Sequence, residues 1–122
     1  MNIKPSVLVC DDDPRIRLLI KVNLVKHNYR VAEFENGQQL IDYLRCNSAD
    51  LIILDIGMPT MDGFQTCEWI QQHGIRTPII VLTAYEDIDY QSRAADMGVH
   101  EFMIKPIHLQ EFISHVEQAL QD

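Results

Sequence analysis

Three consecutive carboxylates, Asp11, Asp12 and Asp13, directly follow the apolar run Val7-Leu8-Val9-Cys10. A second apolar run, Leu51-Ile52-Ile53-Leu54, ends in Asp55. A third, Ile79 to Leu82, ends in Thr83, and Lys105 follows Phe102-Met103-Ile104. If these runs are parallel strands of one sheet, their polar ends gather at one edge, where carboxylates, a hydroxyl and an ammonium share a pocket. A packed core has no use for that set, which reads as a site for a metal ion and a phosphoryl group. Two carboxylates ~4 Å apart repel by about 4 kcal/mol at an effective dielectric of roughly 20, so raised pKa values or a divalent cation must relieve the cluster. Hard oxygen ligands with room for water suit Mg²⁺. A carboxylate can also attack phosphorus to give an aspartyl phosphate, and a metal would offset the charge of nucleophile and phosphoryl oxygens alike.

The individual positions differ in how much they say. Asp55 stands before Gly57 and a Met58-Pro59 turn, which exposes its carboxylate. Asp13 precedes Pro14, whose missing N–H costs nothing at the first helical position, so Asp13 is assigned to a helix N-cap. That cap explains neither Asp11 nor Asp12. Thr83, followed by the small Ala84, could hydrogen-bond a phosphoryl oxygen or simply end a strand. Lys105 could pair with the same oxygens or lie on the surface. The Lys105-Pro106 step favours a special turn, a cis bond among its forms, that would aim the lysine inward. Phe102 is either plain core or a mobile ring.

The elements that must position these groups follow from periodicity. Strands are expected at Val7–Cys10, Tyr29–Phe34, Leu51–Leu54, Ile79–Leu82 and Phe102–Ile104. Between them, Ile16, Leu19, Ile20 and Leu24 mark an amphipathic helix to about Lys26. Asn36 caps a second helix with Leu40, Ile41 and Leu44, stopping near Cys46-Asn47. The loop from Gly57 to Gly63 leads into a third with Phe64, Cys67 and Ile70, ended by Gly74. A polar helix from about Asp87 to Met97, stopped by Gly98, has few apolar positions and should pack weakly. The last carries the stripe Leu109, Phe112, Ile113, Val116 and Leu120. Five strand–helix units in strict alternation imply an α/β fold with a parallel sheet between two layers of helices, and such sheets bind ligands beyond the carboxyl ends of their strands.

Composition bounds the rest. A chain of 122 residues fits one domain with a proper core, residues 1–122. Hydrophobic residues at 47% and charged residues at 23% mark a globular rather than disordered chain. A net charge of −8 argues against direct nucleic-acid binding, which needs lysine and arginine for the phosphates. Cys10, Cys46 and Cys67 lack metal or redox spacing and are read as buried, reduced thiols. No run resembles a signal peptide or approaches the ~18 apolar residues of a membrane span, so a cytoplasmic location without membrane contact is expected.

Taken in order and spacing, Val-Leu-Val-Cys-Asp-Asp-Asp-Pro (7–14), Leu-Asp-Ile-Gly-Met-Pro-Thr-Met-Asp-Gly (54–63), Val-Leu-Thr-Ala (81–84) and Ile-Lys-Pro (104–106) resemble the receiver domain of two-component response regulators, a CheY-like family. The likeness runs from about Ile3 to Ala119. It implies a flavodoxin-like, doubly wound five-stranded parallel sheet of order 2-1-3-4-5 with five helices. It also implies that Asp55 accepts a phosphoryl group from a histidine kinase or histidine phosphotransfer protein. The resemblance gives Asp12 as a direct Mg²⁺ ligand and Asp11 as one acting through water, with Asp55 and the carbonyl of Gly57 completing the protein's share. Thr83 and Lys105 match the switch hydroxyl and phosphate-pairing lysine, and Phe102 the aromatic switch. Gly57 and Tyr85 occupy the positions that tune phosphoryl lifetime.

The output is then a changed surface on the helix over Asp87 to Met97, the fifth strand and the last helix. A downstream protein, an attached effector domain or a second copy forming a homodimer would read that face. In this reading the chain is no enzyme towards other substrates and catalyses only its own phosphoryl transfer and dephosphorylation. The alternative is a receiver-like interaction scaffold that is never phosphorylated. A haloacid-dehalogenase-like phosphatase fits poorly, because Gly57 stands where those enzymes carry a second aspartate. A flavin module lacks a phosphate-cradling loop after the first strand.

Overall fold

The computed structural model describes residues 3–57, 63–83, 92–93 and 95–121. Along the chain run β1 (Ser6–Cys10), α1 (Pro14–Lys26), β2 (Arg30–Phe34), α2 (Gly37–Leu44), β3 (Leu51–Asp55), α3 (Gly63–Gln72), β4 (Ile79–Thr83), β5 (Glu101–Ile104) and α4 (Leu109–Gln121). The strands form one parallel sheet in the order β2-β1-β3-β4-β5, the order expected from sequence. Five helices were expected, and four are complete elements among the described residues. The remaining one, from about Asp87 to Met97, falls largely outside them. Its described positions Ser92, Arg93, Ala95 and Asp96 are helical, and the Met97 N–H donates to the Arg93 carbonyl at 3.1 Å.

Side-chain alternation along the strands sorts the core into two layers. Leu8, Cys10, Ile52, Leu54 and Val81 face α2 and α3, meeting Leu40, Leu44, Phe64, Cys67 and Ile70. Val7, Val9, Leu51, Ile53, Ile80 and Leu82 face α1 and α4, meeting Ile20, Leu24, Phe112, Ile113, Val116 and Ala119. β3 and β4 are buried at every position, which is why their sequences are unbroken apolar runs rather than alternating ones. Each fully buried Leu or Ile contributes about 1.5–3 kcal/mol of transfer free energy, so the two layers fix the strand ends firmly.

The helix ends obey their sequence signals. The Arg15 N–H donates to Asp13 Oδ1 and the Gln39 N–H to Asn36 Oδ1, both at 2.9 Å, with Pro14 opening α1. Gly74 and Gly98 adopt φ of 69° just past helical residues, a left-handed conformation that suits glycine.

Two expectations are corrected. α1 is not simply amphipathic: Ile20 and Leu24 are buried, yet Leu18, Leu19, Val22 and Val25 point to solvent. Its apolar residues occur on both sides, so periodicity in the inner set alone did not describe the helix. Among the cysteines, Cys10 and Cys67 are buried, but Cys46 lies just beyond the end of α2 and is exposed. None of the three is in a disulfide. No described helix is long and apolar enough to cross a membrane.

Candidate functional site

Strand register assembles the site. Cys10 pairs with Leu54, Asp55 with Leu82, and Thr83 with Ile104, so Asp11, Asp55, Thr83 and Lys105 emerge along one edge of the sheet. Backbone bonds carry the ladder past the strands: Asp11 N–H to the Phe34 carbonyl at 3.1 Å, Ile56 N–H to Leu82 at 3.0 Å, and Lys105 N–H to Thr83 at 2.7 Å. The Lys105-Pro106 peptide is cis.

Lys105 does point inward. Its Nζ lies 2.9 Å from Asp11 Oδ2 and 3.3 Å from Asp55 Oδ2. The second oxygen of each carboxylate is held by backbone: Asp11 Oδ1 accepts the Asp13 N–H at 2.9 Å, and Asp55 Oδ1 accepts the Gly57 N–H at 2.8 Å. Asp12 joins them, with one oxygen from each of Asp11, Asp12 and Asp55 lying within 4.8 Å of the others. Asp11 and Asp55 are buried, whereas Asp12 is exposed and faces water.

Burial pushes the Asp11 carboxyl above its ordinary range, and the Asp55 charge adds to the rise. The Asp13 N–H and Lys105 counter only part of it. For Lys105, burial pulls the ammonium down, but the hydrogen bond to Asp11 and the charges of Asp55 and Asp11 outweigh it and hold the group above the usual lysine value. Beneath them the Cys10 thiol is pushed up to about 12, first by burial and then by Asp11 and Asp55. Three carboxylates against one ammonium leave the cluster anionic and rich in oxygen donors, the donor set of a hard divalent cation such as Mg²⁺.

The other expected positions are placed as follows. Thr83 is fully buried at the end of β4. Phe102 is half-buried and packs against the layer beneath α2 and α3. Gly57 lies two residues past the Asp55 strand end. Tyr85, Ala84 and the Met58-Pro59 turn lie outside the described residues.

Two supporting residues had no role in the sequence reading. The Arg17 guanidinium donates to the Asp11 carbonyl at 2.7 Å and lies 3.8 Å from Glu33, tying α1 to the base of the pocket. Nothing local in sequence marks an arginine for a carbonyl six residues earlier. Gly63 is the second. A Cβ there would sit 2.3 Å from the Ile56 Cα and 2.8 Å from the Asp55 carbonyl oxygen, so only glycine lets α3 start against the β3 end. The Asp62-Gly63 pair was visible in sequence, but only as a loop end.

Comparison with known proteins agrees with this geometry. The family model described as the response regulator receiver domain matches residues 7–117. Response regulator MprA of Mycobacterium sp. (strain KMS) is 30% identical over 115 residues, covering 94% of this chain and 50% of that protein. The DNA-binding transcriptional regulator NtrC of Escherichia coli (strain K12) is 32% identical over 114 residues, covering 93% of this chain and 24% of its own length. The chain thus spans half or less of the length of these curated relatives. The non-phosphorylated HemR receiver domain of Leptospira biflexa superposes with a TM-score of 0.90 at 30% identity, covering 98% of this chain and 96% of that one. With the family model spanning nearly the whole chain, and the sheet order and carboxylate pocket consistent with it, this chain belongs to the response regulator receiver domain family.

Proposed function

We propose that the chain is a phosphorylation-switched signalling domain in which Asp55 accepts a phosphoryl group from a histidine kinase or histidine phosphotransfer protein. One observation carries the reading: Asp11, Asp12 and Asp55 converge within 4.8 Å while a single ammonium, Lys105, spans Asp11 and Asp55. An Asp55 carboxylate oxygen bonds to phosphorus as the phosphorus–nitrogen bond of the donor's phosphohistidine breaks, and the imidazole takes up a proton as it leaves. Asp12, Asp55 and the Gly57 carbonyl would hold Mg²⁺, with Asp11 acting through water, and the ion would supply positive charge against the nucleophile and the phosphoryl oxygens. Asp12 suits a direct role because its carboxylate is exposed.

Lys105 turns from its carboxylates towards the new phosphoryl oxygens, and the Thr83 hydroxyl hydrogen-bonds another. Both residues end strands, so their movement shifts the loops after β4 and β5. Phe102 then turns inward. The surface formed by the segment expected to be helical over residues 87–97, β5 and α4 changes, and a downstream protein, an attached effector domain or a second copy reads it. Gly57 offers no side chain to shield the acyl phosphate, and a tyrosine at position 85 would oppose that by partly covering the pocket.

Beryllofluoride, a phosphoryl mimic, tests the reading. With Mg²⁺ present, amide NMR signals of Thr83, Phe102 and Lys105 should shift on titration, and the Asp55→Asn variant should show none of these changes. A wild-type spectrum unchanged by beryllofluoride and Mg²⁺ would favour the scaffold alternative.

A further inference from the structure

Of the cations on α1, one is drawn inward. The Arg15 and Lys21 side chains are 93 and 44% exposed, as charged groups on a helix surface should be, but that of Arg17 is only 14% exposed. An ion pair with Glu33 does not account for this burial. Lys21 already meets Glu33 at 3.2 Å, whereas Arg17 Nε stands 3.8 Å from it and, although buried, has no hydrogen-bond partner among the described residues. What holds the guanidinium is the bond that its Nη1 donates to the Asp11 carbonyl, short at 2.7 Å and charge-assisted.

That carbonyl has a particular place in the chain. β1 ends at Cys10, and the Asp11 N–H still joins the ladder by donating to the Phe34 carbonyl at 3.1 Å. Beyond it the chain leaves the sheet, and the carbonyl of a fully buried residue needs a new donor there. Arg17 supplies it from the first turn of α1. The carbonyl belongs to the Asp11–Asp12 peptide. Because a peptide is planar, fixing its oxygen also fixes the Asp12 nitrogen and Cα in the same plane. The Asp12 carboxylate is exposed, so the backbone that carries it, rather than packing, sets its place over the pocket.

We propose that Arg17 is a positioning residue for the metal: by holding the Asp11–Asp12 peptide it sets the Asp12 carboxylate where Mg²⁺ would bind. The inference rests on the reading of the pocket as a Mg²⁺ and phosphoryl site. Its sign is diagnostic. The Arg17 charge is close enough to oppose the rise of the Cys10 thiol, and a cation beside a metal site repels the metal. Loss of that charge alone would tighten Mg²⁺ binding. Loss of the positioning bond weakens it, and partners that orient metal ligands are typically worth about 10- to 100-fold in affinity.

The test titrates Mg²⁺ into isotope-labelled full chain and follows the amide signals of Asp12, Asp55 and Gly57. Arg17→Met should bind at least about 10-fold more weakly than wild type. Lys21→Met removes the same charge one turn further along α1 and should bind as wild type does or slightly more tightly. Ile20→Val, a core change in the same helix that lowers stability without touching the peptide, should keep wild-type affinity. In the absence of metal, the Asp11 carbonyl carbon signal should move in Arg17→Met and stay in place in the other two. Equal or tighter binding by Arg17→Met, or an equal loss in Ile20→Val, would overturn the proposal while leaving the functional reading intact. A wild type that does not bind Mg²⁺ would overturn both. Should Arg17→Met not fold, the wild type decides: its Arg17 guanidinium nitrogen signals should shift with the same Mg²⁺ midpoint as Asp12, and signals indifferent to Mg²⁺ would overturn the assignment.

Discussion

Lys105 stands between two buried carboxylates, and that arrangement is held against its own electrostatics. Ionising Asp11 costs the folded protein, because its carboxyl titrates above the ordinary 3.8. The sign follows from linkage: a raised acid pKa means the folded state keeps its proton longer, so the strain is absent in acid and grows as pH rises through the raised value. Asp11→Asn in EDTA should therefore be more stable than wild type at neutral pH, by on the order of 1 kcal/mol, with the gap closing below the ordinary aspartate range. Urea midpoints at acid and neutral pH measure it, and a gap independent of pH would contradict the assigned cause. The thiols make a second residue-scale prediction. Cys46 should react readily with an aromatic disulfide reagent in the native protein, whereas Cys10, raised to about 12 and buried, and buried Cys67 should react only on unfolding. Absorbance on thiol titration with and without denaturant counts them.

Among the elements, the junction of β3 with α3 has the least tolerance. A methyl at Gly63 would press on the Ile56 Cα and Asp55 carbonyl, which are backbone and cannot rotate away. Gly63→Ala should cost about 1–3 kcal/mol in a denaturation curve and weaken Mg²⁺ affinity by displacing Asp55. An unchanged midpoint would mean that α3 can slide. This junction also marks how far sequence carries. Strand ends and the caps at Asp13 and Asn36 were legible because each rests on local chemistry or on unbroken apolar runs, whereas the sheet order came from the family resemblance. The convergence of Asp11, Asp55 and Lys105 could be anticipated from strand ends alone. The Gly63 contact, the Arg17 bond to the Asp11 carbonyl and the apolar outer ridge of α1 could not, since each depends on which surfaces meet or stay uncovered in three dimensions. Cys46 was misjudged for the same reason: it lies in a turn, where burial has no periodic signal.

At the scale of the whole molecule, the sheet is a rigid frame with its reactive groups on one rim. Two packed layers fix β1, β3 and β4, while β5 is only half-covered and its Ile104 is 36% exposed. A charge change at Asp55 is therefore met most easily by movement on the β5 side, because fewer packed contacts oppose it there. The frame explains how one phosphoryl group could alter a distant surface, and it makes the proposed acceptor, Asp55, the point on which everything else turns. Intact mass after incubation with acetyl phosphate and Mg²⁺, beside Asp55→Asn and an EDTA control, examines that point directly. The account predicts one added phosphoryl group on the wild type, absent in the variant and absent without the metal. Equal phosphoryl incorporation into wild type and Asp55→Asn would contradict it.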